Sequence, residues 1–154
     1  MLQSTNLWYI NIKIRKRGVT MAKINAIEGV GEAYEAKLKE AGIDTTEKLL
    51  EVAADKKGRT KLAKETGISE KLLLTWVNHC DLYRVKGIGP QYAEILEIAG
   101  IDSVPELARR NAASVLEKMR DVNANRPVVR GLPAQKQIEN WILRAKDLPK
   151  VVKH

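Results

Sequence analysis

Phenylalanine is absent from this chain, cysteine occurs once and histidine twice. A lone thiol, Cys80, excludes an internal disulfide framework and fits a reducing, cytoplasmic setting. Cys80 falls on an apolar helical stripe, so it reads as a small core residue. Of the histidines, His154 is terminal. His79 adjoins Cys80, but successive helical residues point about 100° apart and form no metal pair by themselves. No Cys, His or carboxylate cluster has ligand spacing, and no nucleophile–base pair can be argued. These absences speak against an enzyme, a metal, a cofactor or a small-molecule substrate. There is also no run of about 18 apolar residues, so no transmembrane helix is expected.

What is present is helical and basic. The 154 residues are 44% hydrophobic and 30% charged, with a net charge of +8. That suits one compact domain or two small ones. The charge is uneven: +4 in residues 1–20, −1 in 21–82 and +5 in 83–154. Residues 1–20 place an apolar portion ahead of Lys13, Arg15, Lys16 and Arg17, the reverse of a secretory signal. Residues 1–23 are therefore set apart as an extension. It is either a disordered basic arm that adds nucleic-acid affinity, or sequence upstream of a start at Met21.

The remainder is duplicated. IEGVGEAYEAKLKEAGID (residues 27–44) nearly repeats as VKGIGPQYAEILEIAGID (residues 85–102). With a shift of 58, residues 27–50 match residues 85–108 at nine of 24 positions. These include Gly29/Gly87, Gly31/Gly89, Tyr34/Tyr92, Leu38/Leu96, Gly42/Gly100 and Ile43/Ile101. A shift of 65 then aligns Trp76 with Trp141, so the second copy has gained seven residues between about 112 and 130. Each copy reads as short amphipathic helices: Tyr92, Ile95, Leu96 and Ala99 in one, Leu72, Leu73, Trp76, Val77 and Cys80 in another. Ser103 with Glu106 forms a capping-box pattern. No alternating strand pattern follows residue 21. The expected fold is all-α: two tandem helix-hairpin-helix-like units of about four short helices each, over residues 24–82 and 83–150, packed into one body.

The paired glycines motivate the functional reading. A tight interhelical turn wants backbone angles that a Cβ obstructs. The helix behind it begins with unpaired N–H groups that can bind a phosphate oxygen, aided by the helix dipole. Glu28 and Glu32 flank the first turn and would repel phosphate. The second turn has Arg84, Lys86, Gly87, Ile88, Gly89 and Gln91, with Pro90 suited to the helix start. These six residues are the candidate nucleic-acid contacts. Lys56, Lys57, Arg59, Arg126 and Arg130 are secondary candidates, and Arg109 and Arg110 are basic groups at a helix end. Trp76 and Trp141 are read as core rather than stacking platforms. Residues 62–77 match helix-turn-helix spacing, but the second helix is too apolar to enter a groove.

The segments IEGVGEAYEAKLKEAGIDT, KGRTKLAKETGIS, LLLTWVNHCDLYRVKGIGPQYAEIL, AGIDSVPELARRN and LPAQKQIENWILRAKDLP resemble a bacterial family known as domain of unknown function 4332. The resemblance runs from Met21 to about Val152. It implies a duplicated helix-hairpin-helix-like fold and implies no activity. The second hairpin is more distantly similar to those of DNA-repair and recombination proteins, a similarity at fold level. The expectation is sequence-independent binding of nucleic acid, DNA in preference to RNA, without catalysis. The alternative is a protein-interaction scaffold.

Overall fold

The computed structural model describes residues 22–154, and the reading of residues 1–21 lies outside them. Ala22 and Lys23, assigned to the extension by sequence, are bound into the fold instead: Lys23 forms an isolated bridge with Thr45, and Thr46 N–H donates to the Ala22 carbonyl at 2.9 Å. After a 3-10 turn at Ile24–Ala26 come eight α-helices: α1 Glu32–Glu40, α2 Thr46–Ala53, α3 Lys56–Thr66, α4 Glu70–Leu82, α5 Pro90–Ile98, α6 Val104–Ala108, α7 Ala112–Asn125 and α8 Gln135–Lys146. Among the described residues there is no strand, and the class is all-α as expected.

The duplicated residues mark helix ends. α1 stops at Gly42 (φ 84°), where Ile43 N–H donates to the Leu38 carbonyl at 2.8 Å. α5 stops identically at Gly100 (φ 89°), with Ile101 N–H on the Leu96 carbonyl at 2.9 Å. This is the Schellman closure, and the Leu and Ile of each pair are fully buried beside it. The next helices begin alike, with Thr45 accepting from Lys48 N–H at 3.1 Å and Ser103 from Glu106 N–H at 3.3 Å. The seven extra residues of the second copy go into a longer α7 and the connection from Arg126 to Ala134.

Two apolar clusters form the interior. One gathers residues of the 3-10 turn and α1–α4, centred on Trp76; the other gathers residues from Leu82 to α8, centred on Trp141. In the first, α2 packs on α4 and α3. In the second, α6 and α7 pack on α8. The chain then returns: Val151 and Val152, beyond α8, are buried in the first cluster. α4 carries the link between clusters. From Trp76 to Leu82 every residue of its last two turns is buried, including Asn78, His79 and Asp81.

Candidate functional site

The second hairpin grows from the end of α4. Its turn is pinned by two buried apolar residues, Val85 and Ile88, and Ile88 N–H donates to the Val85 carbonyl at 3.1 Å. Between these pins Lys86 and Gly87 are exposed. Gly87 adopts φ 102°, and a Cβ there would lie 2.8 Å from Trp141 Nε1. Gly29 is related, at φ 93° with Trp76 Nε1 3.5 Å from its notional Cβ. Tyr34 meets Trp76 at 5.1 Å between ring centroids, and Tyr92 meets Trp141 at 5.2 Å. The first glycine, tyrosine and tryptophan shared by the copies are therefore one packing unit: the indole supports the turn.

The second glycine of each pair differs from the sequence expectation. Gly31 and Gly89 are extended N-caps, and a Cβ on either would meet nothing within 4 Å. Turn geometry requires only the first glycine. At Gly89 no side chain caps α5, and Pro90 at the first helical position has no N–H, so Gln91 and Tyr92 are the residues whose amides lack an intrahelical carbonyl.

A cleft of about 790 Å³ lies at this point. Gly87, Gly89, Pro90, Gln91 and Tyr92 line one side, Glu28 of the first hairpin another, and Arg130 and Gly131 of the long connection a third. Tyr92 Oη donates to the Gly131 carbonyl at 3.4 Å. Arg130, distant in sequence, is thus brought beside the hairpin, while Glu28 opposes it in charge.

Arg144 is a residue the sequence reading missed. Its Nη1 donates to the Lys86 carbonyl at 2.9 Å, which places a second cation at the hairpin tip. The repeat alignment held the signal. Arg144 follows Trp141 by three positions, one helical turn, and aligns with His79 in the first copy.

Three sequence candidates are corrected: Ile88 is buried with its N–H spent on the Val85 carbonyl, so it pins the turn and offers no contact, and two arginines are likewise internal. Arg84 is 3% exposed. Its Nε and Nη2 donate to Asp81 at 2.9 and 2.8 Å, and Nη2 donates to the Pro149 carbonyl at 2.9 Å. It is an internal strut with no access to a ligand. Arg59 is also 3% exposed and spans three carbonyls, Ala53, Ala54 and Lys153, at 3.0, 2.9 and 2.7 Å. Both were chosen for charge and sequence proximity, and burial decided otherwise. Arg126 is exposed and engages Glu94 at 3.3 Å. Lys56 and Lys57 are exposed on α3 and do not line the cleft. Arg109 and Arg110 both pair with Glu106, whose own partial burial they outweigh, so its carboxyl is held below the usual range.

Residues 28–148 match a family described as Domain of unknown function (DUF4332). The chain belongs to that family. No curated protein and no solved structure matches it. The DUF4332 match spans all eight helices and both hairpins, and omits the Ile24–Ala26 turn and the Val151–Val152 tail that complete the first core.

α4 buries Asn78, His79 and Asp81 beside Cys80. Burial pushes the Cys80 thiol well up, and the adjacent Asp81 carboxylate adds to the effect. Burial likewise raises the Tyr83 phenol. His79 lies 3.5 Å from Glu97. Among the described residues no three His, Cys, Asp or Glu side chains converge as a metal site would require.

Proposed function

We propose that the chain binds the sugar-phosphate backbone of nucleic acid, duplex DNA first, through the second hairpin, as a binding module without catalysis. The observation that carries this reading is Gly89. The fold does not need a glycine there, yet its presence leaves the start of α5 uncapped and sterically open. An open helix start suits a phosphate oxygen through its N–H groups and dipole. The exposed Lys86, with Arg144 on its carbonyl and Arg130 across the cleft, adds positive charge around that start, opposed by Glu28 on the cleft wall. Nothing in this geometry is aimed at base edges, so affinity should not depend on sequence. The first hairpin, with Glu28 and Glu32 exposed, is unsuited to the same task.

Fluorescence anisotropy with labelled duplex DNA, single-stranded DNA and RNA over a salt series tests the reading. Lys86→Glu is expected to weaken binding on every duplex sequence alike and to lower the slope of log Kd against log salt by about one. Wild-type affinity in that variant would remove the hairpin from consideration. Absence of binding at low salt would redirect the search to protein partners.

A further inference from the structure

Residues 21–82 are near neutral in sum, at −1, but their charge is not spread evenly. Between Lys56 and Thr66, α3 carries Lys56, Lys57, Arg59, Lys61 and Lys64 against the single acid Glu65. Arg59 points inward and is consumed by backbone carbonyls. The four lysines are all exposed and, with Thr60, line one shallow groove. Lys57, Lys61 and Lys64 follow i, i+4, i+7 spacing, one stripe along the helix. The helix in the corresponding place of the second copy, α7, is balanced: Glu117 and Asp121 offset Lys118 and Arg120. Positive charge in the first turn of a helix opposes the dipole; the acids beside it are the N-cap Asp55 and Glu70, which accepts from Thr60 of the groove.

We infer that the lysine face of α3 is a second surface for the nucleic-acid backbone, separate from the hairpin cleft, with which it shares no lining residue. The inference does not depend on the hairpin being correct. The chemistry favours phosphate over protein. Lysine is depleted in protein interfaces, which centre on buried aromatic or aliphatic anchors, and among the described residues the exposed large hydrophobic ones, Val52, Ile98 and Leu143, are all off α3. Lysine ammonium groups act as flexible point charges. Lys57 to Lys64 covers roughly 10 Å of helix axis, and a duplex presents a charge about every 1.7 Å along its own axis. Every lysine can therefore find a phosphate without a fixed register.

The test is salt-dependent anisotropy with labelled duplex DNA, using the full chain, Lys57→Gln/Lys61→Gln/Lys64→Gln, Lys86→Glu, and the two combined. Circular dichroism melting serves as the fold control. The triple variant should melt like wild type, bind more weakly, and lose about two to three from the salt slope; the combined variant should lose more than either parent. A triple variant with wild-type affinity and slope overturns the inference while leaving the hairpin standing if Lys86→Glu is impaired. If Lys86→Glu is unimpaired and the triple variant is weak, the hairpin reading falls and the α3 surface stands. Poly-glutamate that binds wild type but not the triple variant, with duplex binding unaffected, would assign the face to an acidic protein instead and overturn the inference. No duplex binding at low salt overturns both.

Discussion

Gly87 and Gly89 are alike in sequence and opposite in role. Gly87 is held at positive φ over an indole nitrogen, so Gly87→Ala combines backbone strain of about 1–2 kcal/mol with a 2.8 Å contact to Trp141 Nε1. Gly89→Ala meets nothing within 4 Å and should stay within about 0.5 kcal/mol of wild type. Urea unfolding of the two variants checks the contrast; equal midpoints would refute it. The pattern G-h-G was legible in the sequence, and so was its place before a helix. Which glycine the turn needs was not, because that depends on an indole arriving from residue 141. Arg84 and Arg59 illustrate the converse. Their charge was legible and their burial was not, since the carbonyls and carboxylate that receive them come from Pro149, Lys153 and Asp81.

At the scale of elements, apolar stripes and the Ser103 cap marked α4, α5 and α6, and the structure adds caps that the sequence reading did not name. Asp55, Ser69, Ser103 and Asn111 each accept a first-turn N–H, and Gly67 ends α3 in the left-handed region at φ 76°. The joint between α4 and α6 is less visible. Asp81 is fully buried and accepts from Arg84 and from Val104 N–H, the latter at 2.7 Å, while Arg84 reaches Pro149. One ion pair thus fastens α4, the start of α6 and the segment after α8. Removing one partner of a buried pair strands the other charge, so Arg84→Met should destabilise by about 3–5 kcal/mol in urea titration. Arg84→Met/Asp81→Asn should cost less than the two single losses combined.

For the whole molecule, the tail decides how the parts cohere. Val151 and Val152 fill the first cluster although they follow the last helix of the second. Lys153 closes the strap: its N–H donates to Ala54 at 2.8 Å and its carbonyl accepts from Arg59. Val151→Ala/Val152→Ala removes about four buried carbon groups and should cost about 3 kcal/mol, measured by urea unfolding followed through tryptophan fluorescence. A change under about 0.5 kcal/mol would show that the strap is dispensable. The sequence by itself determined the helical class, the duplication and the acidic-against-basic contrast of the two hairpins, because apolar periodicity, caps and repeated residues act within a turn or two of chain. Only the tertiary structure decided which cations remain on the surface, that the long connection carries Arg130 to the second hairpin, that α3 gathers four lysines on one groove, and that the chain's end completes its first core. Those outcomes rest on contacts between residues far apart in the chain, where burial and the demand of buried polar groups for partners outweigh local preference.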